Sequence, residues 1–166
     1  MQLSQVLAKP SGAFILDSEN RKVLAVLGAN SEIHKRMLIV AAAARDLGAE
    51  VAEMNETQWL NQIPNLGARL QAIIGPFNAW RISTGFKLTP EPWQRMGPML
   101  RDAQGKLIGM IESMAQPVSV FHVLELAPTL VYELDQIVRE LADDEALTSE
   151  RSDELKSRLQ SLSRHS

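Results

Sequence analysis

Cysteine is absent from this chain of 166 residues. Without thiols there are no disulfides, no thiolate nucleophile and no cysteine-based zinc or iron–sulfur site. Aromatic residues are scarce, at 5% of the sequence, and no apolar run approaches the roughly 20 residues that a membrane-spanning helix needs. The first residues lack the basic segment and long apolar run of a signal peptide. We therefore expect a cytoplasmic protein that does not insert into a membrane.

Catalytic signatures are also missing. The sequence contains no G-x-S-x-G elbow, no P-loop, no G-x-G-x-x-G turn and no H-E-x-x-H helix. His122 and Glu125 are three residues apart and would share one face of a helix, but no third metal ligand lies near them in the sequence. We interpret them as a surface pair, expect no metal and no cofactor, and lean against an enzyme.

The composition is that of an ordinary soluble domain. Apolar residues make up 45% and charged residues 22% of the chain, which suffices for a packed core without staples. The pattern predicts an α/β core domain over residues 1–126 and a C-terminal helical hairpin appendage over residues 127–166. No internal repeat is evident.

The clearest pattern lies between Lys22 and Met54. Two apolar runs at 11–16 and 22–27 flank turn-forming residues and predict an N-terminal hairpin. The second run leads into an amphipathic stripe over 31–48 and then a short apolar run at 50–54, which together predict a βαβ unit. This layout resembles the first βαβ unit of a RecA-like or doubly wound domain. We expect an α/β fold, with mixed α+β as the alternative, whose small sheet precedes a helical C-terminal half.

The remaining segments are less distinct. Residues 69–75 fit a strand or a short helix about equally well, and 93–114 look mostly helical. The last helix carries a narrow stripe of leucines, Leu155, Leu159 and Leu162. Such a helix gains little by packing, so it either packs on its own domain or associates with a partner.

A helix N-terminus presents free N–H groups and partial positive charge to anions. The turn before the helix at 31–48, with the basic residues of the first helical turn, is therefore a candidate anion site. Its candidate residues are Gly28, Ser31, His34, Lys35 and Arg36. The alternative is that these side chains simply point to water.

Two aromatic–arginine pairs form the candidate partner-binding surface: Trp80 with Arg81, and Trp93 with Arg95. Trp and Arg are enriched at binding hot spots. The alternative is that both tryptophans belong to the core.

Charge is unevenly distributed along a chain whose net charge is −3. The segment Arg69–Lys106 carries +4 and residues 125–154 carry −8. Our first hypothesis is a non-catalytic protein-interaction or assembly component that binds a protein partner or its own copies. The alternatives are a nucleic-acid-associated accessory protein that uses Arg69–Lys106, and a domain that binds a small ligand or phosphate.

Overall fold

The structure is a computed structural model that describes residues 2–143 and 149–163. Within these ranges it contains six strands, four α-helices and a short 3-10 turn at Leu3–Gln5. In chain order the elements are β1 (Lys9–Ser11), β2 (Phe14–Leu16), β3 (Lys22–Val26), α1 (Ser31–Ala52), α2 (Glu56–Thr84), β4 (Gln94–Met96), β5 (Met99–Arg101), β6 (Leu107–Ile111), α3 (Val118–Asp143) and α4 (Ser149–Ser161).

The strands form one antiparallel sheet in the order β1-β2-β3-β6-β5-β4. The predicted N-terminal hairpin is confirmed as β2 and β3. The mixture of helix and strand is confirmed, and so are the helices of the C-terminal region. The predicted boundary between residues 126 and 127 falls inside α3, and residues 144–148 and 164–166 of the predicted appendage lie outside the described residues. The division into two domains stays a prediction.

The first strand and the helix of the predicted βαβ unit are present, but the predicted second strand at 50–54 is wrong. α1 begins at Ser31, but it continues to Ala52 and takes in most of the segment that we expected to be a strand. The reason is that the buried stripe continues: Val51 lies one turn after Leu47, and both are buried. Since neighbouring strands pair only in antiparallel fashion, the chain does not share the parallel unit of a RecA-like domain.

Residues 69–75 are helical and lie inside α2, so the strand interpretation is wrong. α2 begins with a capping box, in which Asn55 and Gln58 satisfy each other's backbone N–H groups, and it ends at Gly85 in the left-handed region. It passes through Pro64 and Pro76, each of which removes one helical hydrogen bond. A buried stripe with helical spacing stabilises the helix across both prolines: Trp59, Leu66, Leu70, Ile74 and Phe77.

The region 93–114 forms β4, β5 and β6 instead of the expected helix. Two turns interrupt it, with Gly97 at φ 57° and Gly105 at φ 86°. Asp102 stabilises the second turn, because its Oδ1 accepts the N–H groups of Gln104 and Lys106 at 3.0 and 2.8 Å.

The chain is built from two similar halves, contrary to the expectation of no repeat. β1, β2 and β3 recur as β4, β5 and β6, and Gly12 and Asp17 recur as Gly97 and Asp102, all 85 residues later. The hydrogen bonds recur too. Asp17 caps its turn as Asp102 does, and Leu27 N–H to Ile108 C=O (2.7 Å) mirrors Glu112 N–H to Val23 C=O (2.9 Å). A pseudo-twofold axis therefore runs between β3 and β6.

The two faces of the sheet differ in burial. A register shift in each half adds one residue to β3 and to β6, namely Val23 and Ile108. Strand pairing and these bulges define an inner face that is buried against α1 and α3. Its apolar side chains are Ile15, Val23, Leu24, Val26, Leu100, Ile108 and Ile111.

α4 packs on α1 within the same chain. Leu155, Leu159 and Leu162 are buried at 7%, 0% and 0% exposure, so the leucine stripe belongs to the core. The indole N–H of Trp59 donates to Ser152 Oγ at 3.0 Å and ties α2 to α4. Gly48, which we expected to be near a helix end, is instead the point of closest approach. A Cβ there would lie 2.7 Å from the carbonyl oxygen of Leu159.

We predict that Gly48→Ala destabilises the domain by about 1–3 kcal/mol, because the added methyl group overlaps the backbone of α4. Urea denaturation measures the effect. Gly67→Ala in α2 is the matched control, since a Cβ there meets nothing within 4 Å, and it should stabilise by about 0.5–1 kcal/mol through helix propensity. Equal stabilisation by both variants would show that α4 does not pack on Gly48.

Candidate functional site

A cleft of about 210 Å³ opens at the end of the sheet beside the turn between β3 and α1. We call it the Gly28 cleft. It lies between that turn, the segment 86–93 and the turn between β5 and β6. Its apolar wall comprises Leu27, Met37, Phe86, Trp93, Leu107, Ile108 and Pro128, and its charged rim comprises Lys87, Glu91, Asp102 and Lys106.

His34 is one of the polar side chains that line the Gly28 cleft, together with Asn30, Thr89 and Gln104. Its ring meets Trp93 edge to face, with 5.2 Å between ring centroids and 76° between planes. Its Nδ1 is buried and has no hydrogen-bond partner among the described residues. Burial lowers the pKa of His34 from its ordinary 6.5, although the carboxylate of Asp102 partly opposes this shift. Burial therefore favours the neutral imidazole.

The predicted anion-site residues do not all meet at the cleft. Gly28 and His34 line it, whereas Lys35 is buried at 2% exposure and donates to the carbonyl of Gly12 and to Glu32. Arg36 lies over the ring of Trp80, with 4.6 Å to the ring centroid. Ser31 donates its N–H to the carbonyl of Gly28. Anion binding at this turn stays a prediction.

The predicted partner-binding residues are divided between core and surface. Trp93 and Arg81 are buried at 6% and 9% exposure. Arg81 donates to Asn78 at 3.0 Å and lies 3.9 Å from the carboxylate of Asp135. Partner binding through these residues stays a prediction.

Trp80 is half-buried beneath Arg36. Arg95 lies on the inner face, with its guanidinium 4.6 Å from the ring centroid of Phe121 on α3. The two aromatic–arginine pairs therefore occupy separate elements, α2 and the start of β4.

The basic segment Arg69–Lys106 is spread over several elements. Arg69 donates to Glu50 and Gln62, and Arg101 donates to the carbonyl of Gly105 at 2.9 Å. Lys87 and Lys106 lie at the rim of the Gly28 cleft. Nucleic-acid binding by this segment stays a prediction.

The outer face of the sheet carries an apolar row that sequence reasoning missed. The row crosses five neighbouring strands through directly paired residues: Phe14, Ala25, Met110, Met99 and Met96. Four of these residues are half-buried, and Met96 is 67% exposed. The outer face is therefore partly exposed to solvent, in contrast to the buried inner face.

Cations border the apolar row. Lys22 places its Nζ 4.2 Å from the ring centroid of Phe14, and Arg101 directs Nη2 at Met99 Sδ, 3.8 Å away. Lys9 pairs with Leu16, which pairs with Lys22, so Lys9 lies on the same face. In the sequence, the signals that could have indicated β4, β5 and β6 are the Gly97-Pro98 turn and the turn that begins at Asp102.

Two classes of site have no candidate in the part of the chain that the structure describes. No three His, Asp or Glu side chains converge there as metal ligands. Likewise, no helix within residues 2–143 and 149–163 has the length and apolar content to cross a bilayer.

No protein-family model matches the chain, and no curated protein or solved structure shows significant similarity to it. Its class is therefore defined by its own architecture. Its described residues form an α+β fold of two similar halves, with an antiparallel sheet, a cleft at the sheet's end and an apolar row on the outer sheet face.

We predict that His34 makes stability fall as the pH drops below about 6.5. The folded pKa is lowered, so the unfolded chain takes up a proton that the folded chain resists. Melting temperatures from pH 7.5 to about 5.5 should therefore decline less in His34→Gln than in the wild type. Gly67→Ala, which changes no titratable group, serves as the control and should decline like the wild type. Identical slopes in all three proteins would contradict the role assigned to His34.

Proposed function

We propose that this protein is a non-catalytic protein-interaction component of a larger assembly, and that it docks a partner on the outer face of its sheet. The observation that supports this is the apolar row, which ends in a methionine that is 67% exposed. Contiguous apolar patches on a soluble domain mark interaction sites. Burying a methionine side chain fully contributes about 1.5–3 kcal/mol, so three methionines in one row are a strong anchor.

The edges of the sheet support docking on the face. A partner strand can extend a sheet only along a free edge. The edge strand β1 has three residues and contains Pro10, which has no N–H to donate, next to the exposed Lys9. The other edge strand, β4, also has three residues. Short edges with proline and lysine are protected against added strands.

Methionine suits such a surface. Its unbranched, polarisable side chain adapts to irregular apolar partners. The row has three methionines on β4, β5 and β6, whereas the matching positions in the first half are Ser11, Phe14 and Ala25. The second half of the sheet is therefore the better anchor.

A photo-crosslinking amino acid placed at Met96 tests the proposal in the native cell. We expect a discrete protein adduct from position 96 and none from position 71, where Gln71 is exposed on α2. Met110→Glu should abolish the adduct, because a charge in the middle of the row opposes apolar docking.

Met110→Glu should leave a folded domain with a cooperative melt, since its half-buried side chain is on the outer face, where the carboxylate can reach solvent. Leu100→Glu, at 0% exposure on the inner face, should unfold the domain and so confirms the assignment of faces. Adducts that are equal at positions 96 and 71, or that survive Met110→Glu, would contradict docking on this face.

A small-ligand site in the Gly28 cleft is the second candidate function. The observation that favours it is the half-buried imidazole of His34 in the cleft wall. A polar ligand would contact this imidazole, while Trp93 and Met37 would contact the ligand's apolar part.

Thermal-shift measurements with inorganic phosphate, nucleotides and small dicarboxylates test the cleft. A ligand at about 100 times its dissociation constant adds about 2.7 kcal/mol to stability. The shift should be lost in His34→Phe. No shift with any of these compounds would contradict the second candidate.

A further inference from the structure

The apolar row is embedded in positive charge although the chain as a whole is acidic. Lys9, Lys22 and Arg101 lie on the outer face. None of the six strands contains Asp or Glu, and Asp17, Asp102 and Glu112 each follow the end of a strand. The strand residues of the outer face therefore carry positive charge on a chain of net charge −3.

The cations are placed to act together with the apolar row. Lys22 and Arg101 lie against Phe14 and Met99 themselves, at 4.2 Å from the ring centroid and 3.8 Å from the sulfur. Their stems cover apolar surface. Lys22 is exposed, and Arg101 is half-buried and also donates to the carbonyl of Gly105. A ligand that fills the row would thus meet both cations, one on each side of the pseudo-twofold axis.

Resting on the proposed function, we infer that the outer face binds an acidic amphipathic helix of a partner protein. The helix's apolar side chains would contact the row, and its carboxylates would pair with Lys22 and Arg101. Opposite charges at the rim of an interface favour the matching partner and exclude others.

The dimensions of the row fit a helix. It crosses five strands, and four steps of about 4.8 Å give a length of roughly 19 Å. A helix rises about 1.5 Å per residue, so roughly 13 residues span the row. Such a segment has three to four turns, which is an ordinary helix length.

A second copy of this chain fits the face less well. A symmetric pair would place the same face on both sides of the interface. Each copy would then bring Lys9, Lys22 and Arg101 toward the same cations of the other copy, which is unfavourable.

Peptide display tests the inference with the full-length protein as bait and a random library of helix-forming peptides as the probe. We expect the enriched peptides to carry net negative charge and apolar residues at helical spacing. Fluorescence anisotropy of the synthesised peptides should show about tenfold or greater weakening by Lys22→Glu with Arg101→Glu. Lys87→Glu, an exposed lysine at the Gly28 cleft, is the control and should bind like the wild type.

The outcomes separate the inference from the proposed function. Neutral or basic peptides that lose binding to Met110→Glu would overturn the acidic helix and keep the docking face. Peptides that bind Met110→Glu normally would overturn both.

Two further results would also overturn the inference. One is a dimer in light scattering that Met110→Glu dissolves. The other is binding to vesicles of phosphatidylserine and phosphatidylcholine, together with a library that yields no enriched peptide.

Discussion

The antiparallel pairing of β3 with β6 is the contact on which the rest of the molecule depends. It joins the two halves through paired bonds on either side of the pseudo-twofold axis, from Leu27 to Ile108 and from Glu112 to Val23. Because each half contributes only three strands, neither half alone would make a sheet wide enough to cover α1 and α3. The helices in turn cover only one face, which leaves the other face to solvent.

The sequence predicted well those elements whose pattern is local. The hairpin of β2 and β3 and the first turns of α1 follow from period-2 and period-3.6 patterns flanked by turn residues. The predicted end of α1 at residue 48 was wrong, because the missing side chain of Gly48 serves the contact with α4 and does not end the helix. Long-range packing that places a glycine between helices leaves no local signal.

The candidate site was harder to predict than the fold. The methionines of the apolar row come from β4, β5 and β6, a region that we expected to be helical. The sequence therefore did not indicate that these methionines share one face of a sheet. We selected Trp93 and Arg81 because Trp and Arg are enriched at binding hot spots. Both are mostly buried. Residue type alone cannot separate an aromatic anchor in the core from one on a surface. His34 gained its role from its contact with Trp93, 59 positions along the chain from it.

The comparison of the two halves shows where the sheet is specialised. On the inner face most positions agree in kind, with Ile15 matching Leu100 and Val23 matching Ile108. Leu24 is an exception, because it corresponds to Gly109, where a Cβ would overlap the carbonyl oxygen of Ala25. On the outer face Ala25 corresponds to Met110. Packing against α1 and α3 explains the agreement at the matching inner positions, because their side chains fill the same apolar layer. Nothing in that layer requires methionine on the opposite face, where a polar residue would be better solvated. Docking of a partner, as proposed above, would give the outer methionines a role beyond the stability of the domain.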